Sequence, residues 1–530
     1  MPLIPVTQTP AISLARSLAR GHSRSDAIAV LIIGERGKPK FTNLPTPDQW
    51  TLLHQRSRAE AGEVRSCTLP TPRQTQAVLG YVSAKASPFE QLAMAGRMLR
   101  EALARKPQTL ALAVLNTTDA QGVARSASRG GGSAPLPESA LEALLSAALV
   151  QDFPLPTFRS KPSRARRLSR IVLQGGGALD LPRILATARA QNLARWLTAL
   201  PPNKLDAASY RRMLRELAAR HRLKLRWLDE AALRRAGAGA FLAVAAGNAR
   251  RDAAGIAHLS YRPARRRTQA TRGSARAPDV ALIGKGILFD TGGTNLKPHR
   301  GMLDMHTDMA GSAVALASLI ALAEQRSPIA ADAWLAITEN RIGPTAYQPQ
   351  DIVRAANGTT IQVIHTDAEG RMALADTLVL AGRSKPQLMI DYATLTGAAV
   401  YALTERMSAV FCRDARLSGP LLAAGRISGE RVVQFPLDAD FDADIESKIA
   451  DVAQCAVEGK GDHIIAARFL QRFVPEKMPW IHVDLSSATR SGGLGHVLSD
   501  VIGFGVRLTL EFLQGQNALA ALRRADPEPS

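Results

Sequence analysis

Between residues 280 and 376 the chain sets carboxylates, lysines and an arginine in short polar steps between apolar runs. Asp290, Asp308, Asp367 and Glu369 supply four negative charges, which balance two divalent cations. Hydrolysis by a metal pair needs hard anionic ligands, one of them bridging, with the ions roughly 3.5–4 Å apart. Asp367, Glu369 and Arg371 are spaced i, i+2, i+4, which in an extended segment sets all three on one side. Gly370 permits an irregular path between them. Lys285 becomes a neutral amine ligand if an adjacent cation depresses its pKa. Lys297 and Arg371 then remain as positive charges aimed at a reacting group. The chemistry that suits this set is two-metal hydrolysis.

Each piece alone has a plainer reading. An isolated Asp-x-Glu-x-Arg is usually a solvated turn. Gly284-Lys285-Gly286 fits a phosphate cradle, but the GxxxxGK[ST] pattern is absent. Asp308 ahead of a helix is explained as an N-cap. His299, His306, His365 and His463 lack paired spacing and read as structural or surface residues. Only the conjunction argues for a metal centre.

To converge, these groups need strands that end together. From Asp279 onward the pattern alternates: strand 280–283, helix 309–325, strands 333–338 and 361–364, helix 371–383, strand 387–392. That rhythm predicts an α/β fold with a central, largely parallel sheet covered by helices on both faces. Functional groups then gather beyond the carboxyl ends of the strands. Lys285 falls after the first strand, Asp367 and Glu369 after the third, and Thr394-Leu-Thr-Gly397 after the last. Upstream, residues 1–178 read as a separate N-terminal α/β domain with strands near 27–33, 79–83 and 109–115 and helices over 88–104 and 139–150. Ser128-Arg-Gly-Gly-Gly-Ser133 reads as loop. No paired carboxylates mark a function there. A helix over 181–200, stopped by Pro201-Pro202, leads into the larger domain, 179–530. Helix, strand 223–227 and helix follow over 207–247, and the arginine-rich segment 262–277 reads as a surface insertion interrupting a hairpin.

The strings Gly284-Lys285-Gly286-Ile-Leu-Phe-Asp290 with Lys297-Pro298, Asp304-Met-His-Thr-Asp308-Met, and Thr366-Asp367-Ala-Glu369-Gly-Arg371 together resemble the leucine aminopeptidase (cytosol aminopeptidase) family of di-metal exopeptidases. Asn192 to Asn203 and Asp391-Tyr-Ala-Thr-Leu-Thr-Gly397 are similar to it too, and the likeness covers roughly 180–515. The resemblance implies a catalytic α/β domain preceded by an N-terminal one, and two divalent metal ions per subunit, Mn²⁺ or Zn²⁺. Asp290 and Glu369 would contact both ions, Lys285 and Asp308 complete the tighter site, and Asp367 completes the exchangeable one. A metal-bridged hydroxide would attack the scissile carbonyl of a peptide whose free α-amine binds a metal. The N-terminal residue released would be leucine or another apolar one, in intracellular peptide turnover. Lys297 would stabilise the oxyanion, and Arg371 would anchor a bicarbonate that shuttles the proton. Met305 would line the first side-chain pocket, and the backbone at Thr394, Leu395 and Gly397 would hold the peptide. Family members are typically homohexamers, which limits substrates to short peptides. This chain departs from the pattern at His365, where Asn is usual, and at Leu485-Ser-Ser-Ala-Thr489, but no ligand is lost.

The net charge of +21 invites a nucleic-acid reading. Much of the excess is arginine within 159–170 and 262–276, without interleaved aromatics and without a DNA- or RNA-binding signature. Solvated linkers explain these stretches; polyanion binding is the competing reading. Cys67, Cys412 and Cys455 are far apart and form no CxxC pair, which fits a reducing compartment. The first residues hold no secretory signal, and no run of about 18 apolar residues occurs. A cytoplasmic protein with no membrane span is expected.

Overall fold

Apolar runs that lack alternation become strands buried on both faces, and two such sheets organise the chain. The computed structural model describes residues 4–5, 9–19, 25–34, 39–117, 136–161, 167–248, 253–263 and 277–523. The first sheet comprises β1 (Ala11–Ala15), β2 (Ala27–Ile33), β3 (Val64–Thr68), β4 (Gln76–Val82), β5 (Thr109–Asn116) and β6 (Arg170–Gln174), in the order β1-β6-β5-β2-β4-β3. Only β3, at one edge, runs antiparallel to its neighbour. The helices Pro88–Leu103 and Leu136–Gln151 cover one face, and Trp50 and Leu53 of the helix Pro47–Gln55 pack on the other. The edge strands β1 and β3 escape the sequence pattern because each is only five residues long, interrupted by polar residues, and has no fully buried position. The glycine-rich segment 128–133 lies outside the described residues.

The second half contributes β7 (Lys224–Leu228), β8 (Gly255–Tyr261), β9 (Val280–Asp290), β10 (Ala331–Asn340), β11 (Ile352–Arg354) and β12 (Thr360–Gln362). It continues with β13 (Leu388–Ala393), β14 (Ser408–Cys412), β15 (Val432–Gln434), β16 (Val452–Ala453) and β17 (Trp480–Asp484). Eight of these form one sheet, β15-β14-β17-β13-β9-β10-β8-β7. Its centre, β17-β13-β9-β10, is parallel, while β7, β8 and β14 enter antiparallel pairs. The helix Ala310–Glu324 packs on one face and the helix Glu369–Gly382 on the other. The first of these is apolar all round because the helix Leu181–Thr198 covers its far side. The stretch His299–Glu324 is long and apolar enough to cross a bilayer, but 83% of its apolar window is buried inside the protein. It is a core helix by packing.

Three sequence expectations change. The strand expected at 361–364 is not part of the main sheet: β12 pairs with β11 and β16 in a three-stranded sheet of its own. Strand β8 and strand β9, which flank 262–277, form no hairpin, because β10 lies between them, antiparallel to β8 and parallel to β9. Of the arginines in that segment, Arg262 is described and pairs with the buried Asp332 at 2.6 Å; residues 264–276, like 162–166 of the other basic stretch, lie outside the described residues. Strand β9 also runs past Ile283 to Asp290, so Lys285 stands inside the sheet.

Glu430, in the turn after the helix Ala415–Ser428, ties the C-terminal segment to this sheet. It is buried and accepts the backbone N–H of Gly505 (2.9 Å) and of Leu508 (2.8 Å). Burial pushes its carboxyl up to about 7, against the pull of those donors and of Arg507. The folded protein therefore keeps a proton that the unfolded chain releases above 4.5, and the stabilisation is lost as pH rises towards 7. Thermal unfolding of the chain and of Glu430→Gln is expected to show the variant gaining on the wild type between pH 5 and 8, by up to about 3 kcal/mol. Parallel pH profiles for the two proteins would refute this.

Candidate metal centre

Leu282 of β9 faces the helix Ala310–Glu324, whereas Ile283 faces the helix Glu369–Gly382. Lys285 shares the parity of Ile283 and is buried against the start of that second helix, where Gly370 makes room for it. A Cβ on Gly370 would lie 2.6 Å from Lys285 Nζ. Asp290 is five residues further and of opposite parity, so a regular strand would turn it away. The pairing with β10 corrects this. Ile287 lies opposite Thr338 and Asp290 opposite Asn340, so β9 passes three residues while β10 passes two. That bulge brings Asp290 round to the side of Lys285.

Short bonds hold the turns that follow. Asn340 Nδ2 donates to Asp290 Oδ1 (2.8 Å) and to the carbonyl of Thr366 (3.0 Å). Gly292 N also donates to Asp290 Oδ1 (2.8 Å), from a backbone at φ +86° that favours glycine. Thr366 Oγ1 donates to the Gly292 carbonyl (2.7 Å) and accepts from Asn295 N (2.8 Å), and Tyr347 donates its hydroxyl to the Thr366 carbonyl (2.7 Å). The turn after β9 and the turn before the helix Glu369–Gly382 thus form one unit. The segment 367–371 is not extended: Glu369 opens that helix.

Asp290, Asp367 and Glu369 present oxygens within 4.8 Å of one another. Lys285 Nζ lies 2.8 Å from Asp308 Oδ2 and 2.9 Å from Glu369 Oε1, and donates to the Thr394 carbonyl (2.9 Å). Lys297 Nζ lies 2.9 Å from Asp290 Oδ2 and 2.6 Å from Asp367 Oδ1. The contacts to Asp308 Oδ2 and Asp367 Oδ1 are charge contacts without hydrogen-bond direction, and Glu369 Oε2 is buried with no hydrogen-bond partner among the described residues. Burial pushes the Asp308 carboxyl up to about 8 against the pull of Lys285. Burial and the Asp290 charge push Glu369 to about 7 and Asp367 to about 6. Burial works against the Lys285 ammonium, but Asp308, Glu369 and Asp290 outweigh it and hold its pKa above the usual range. The neutral amine that a metal ligand requires therefore needs a further cation beside it.

Four carboxylates and two lysines leave buried negative charge in excess, and buried charge must be paired or coordinate a metal. The residues fit divalent ions: clustered carboxylate oxygens suit Mn²⁺, and Zn²⁺ takes Asp and Glu oxygens as well. Arg371, 2% exposed, pairs with a carboxylate outside this set. Its Nη2 lies 2.8 Å from both oxygens of Asp462, and its Nη1 donates to the Gln454 carbonyl (3.3 Å). Met305 is half-buried in a short turn ahead of Asp308. Thr394 Oγ1 donates to Asp308 Oδ1 (2.7 Å), and Leu395 follows it half-buried, with Gly397 opening the helix Gly397–Leu403. Of the histidines, His463 packs edge-on against Phe435 at 4.5 Å, and His365 Nδ1 accepts from Asp367 N (3.2 Å).

Comparison with known proteins gives the family. The family model for the cytosol aminopeptidase family, catalytic domain, matches residues 192–510. This chain belongs to the cytosol aminopeptidase family. A probable cytosol aminopeptidase of Syntrophotalea carbinolica is 40% identical over 326 residues, 61% of this chain and 62% of that protein. One from Roseiflexus castenholzii is 36% identical over 388 residues, 71% of this chain and 77% of that protein. A solved structure of the bottromycin maturation enzyme BotP in complex with Mn superposes with a TM-score of 0.76 at 29% identity, over 92% of this chain and 99% of that one.

Some residues that shape the cytosol aminopeptidase site here escaped sequence reasoning. Asn340 is uncharged and lies in no motif weighed above, and Thr366, inside one of the strings, is uncharged and is given no role. Asp484 accepts from Leu395 N (3.0 Å) and Thr396 Oγ1 (2.7 Å), fixing the 394–397 segment, and its partners lie 88 and 89 residues away. Asp462 follows Gly461 in a segment with no periodic signal. For Gly370→Ala we expect metal content, measured after dialysis, to fall with the fold intact, since the new methyl takes the space of Lys285. Full retention of metal would refute the packing argument.

Proposed function

We propose that this chain is a metal-dependent aminopeptidase that releases the N-terminal residue, leucine or another apolar one, from short peptides. The observation that carries the reading is the convergence of Asp290, Asp308, Asp367 and Glu369 around Lys285 and Lys297. Lys285, Asp290, Asp308, Asp367 and Glu369 would hold two divalent ions, Mn²⁺ or Zn²⁺, which when bound lower the pKa of water and polarise the scissile carbonyl. The chain's own residues do the rest. A free α-amine is drawn to this anionic cluster, whereas an acylated one is not, which selects the end of a peptide over its interior. Lys297, its side chain 16% exposed, offers an ammonium to the oxygen on which negative charge develops. Met305 lines the pocket for the first side chain, and the backbone of Thr394, Leu395 and Gly397, steadied by Asp484, holds the peptide.

Large apolar side chains stand in solvent on the segments around the site: Leu296, Leu303, Val457 and Tyr401, the last 93% exposed. Such a surface favours burial against another copy. It supports self-association; on our reading the assembly is a homohexamer whose active sites open to a confined space, and the chain works in the cytoplasm. Residues 1–178 then serve as an N-terminal α/β domain in that assembly, ahead of the catalytic domain 179–530.

The purified chain with Mn²⁺ or Zn²⁺ is expected to cleave leucine amide, to leave N-acetyl-leucine amide intact, and to stop on chelation. Absence of cleavage with both metals would overturn the reading. Lys297→Ala is expected to lower kcat by about 10²–10³ with metal content kept. Wild-type turnover in that variant would remove the oxyanion role.

A further inference from the structure

Arg371 poses a question that the metal cluster does not answer. Its guanidinium is buried, so it needs an anion. The resemblance supplies one from outside, as bicarbonate. Here the chain supplies its own: Asp462, first residue of the helix Asp462–Gln471, places both carboxylate oxygens 2.8 Å from Arg371 Nη2. The Asp462 side chain is 23% exposed, so the carboxylate is anchored from inside yet open on one side. Arg371 stands two residues after Glu369 in the first turn of the same helix, so the ion pair with Asp462 adjoins the carboxylate cluster. A second anion on the same guanidinium would meet the Asp462 charge at close range.

We propose that Asp462 is the resident anion of Arg371 and the proton carrier of the reaction, so that this chain needs no bicarbonate. The inference rests on the aminopeptidase reading. As the water oxygen bonds to the scissile carbon, its O–H bond breaks and the proton passes to an Asp462 oxygen. As the C–N bond breaks, the same proton passes to the leaving nitrogen, and the carboxylate is restored. Arg371 keeps Asp462 in place and acts only through it.

The test uses the full metal-loaded chain, leucine amide, and buffers depleted of or supplemented with bicarbonate. Wild-type turnover is expected to be the same in both. Asp462→Gly should lose roughly 10²-fold or more in kcat and recover with added bicarbonate, because the opened space admits the anion. Asp462→Asn should lose as much and not recover, because its amide still fills that space. Thermal melting gives a readout without turnover: bicarbonate should raise the Tm of Asp462→Gly and leave that of the wild type unmoved. Stimulation or thermal stabilisation of the wild type by bicarbonate would overturn the proposal, as would wild-type turnover by Asp462→Asn. A wild-type chain that cleaves no leucine amide would instead sink the aminopeptidase reading, and the melting comparison would still decide what occupies Arg371.

Discussion

Carboxylates crowded into a dry pocket repel one another, and the catalytic half of this protein is arranged around that repulsion. Asp290, Asp367 and Glu369 crowd their oxygens within 4.8 Å, and Asp308 joins them through Lys285. Two ammonium groups answer part of the demand, Lys285 between Asp308 and Glu369 and Lys297 between Asp290 and Asp367. Raised carboxyl pKa values at three of the four acids express the remainder. A site left electrostatically unsatisfied by its own side chains is suited to hold divalent ions and then to act through them.

Holding such a site open requires a scaffold that does not relax. The parallel centre of the large sheet ends its strands at one edge, and hydrogen bonds lock the turns beyond it into a single unit through Thr366 and Asn340. On the other flank, Asp484 at the end of β17 fixes the segment that follows β13. Most of these supports are neutral or distant in sequence. Their work is geometric: they keep like charges near one another when each would separate if free.

How much of this was legible beforehand follows from the kind of signal each residue carries. The ligand set could be read because charged residues between apolar strands violate the expected pattern, and the violations cluster. The parallel sheet could be read from the alternation of strand and helix, which is a local property. Other features depend on pairing, which no local period encodes. The short β12 reads as the third strand of the main sheet because its three residues carry no information about their partner. Lys285 was placed in a loop because a charge and two glycines normally end a strand, yet here β9 continues through them. Asp462 and Arg371 are 91 residues apart, and only the folded chain shows that they meet.

The bulge in β9 has a consequence for how this chain can change over time. Deleting one residue between Ile287 and Asp290 would make the ladder with β10 more regular, and by local criteria the sheet would improve. The same deletion would leave the acid four residues from Lys285 on an unbulged strand, and so still on the side of Lys285. Point substitutions in this stretch can be explored one side chain at a time, but its length can change only together with the bulge. The five-residue interval from lysine to aspartate and the bulge that corrects its parity are therefore one feature, which descendants of this chain keep or lose together.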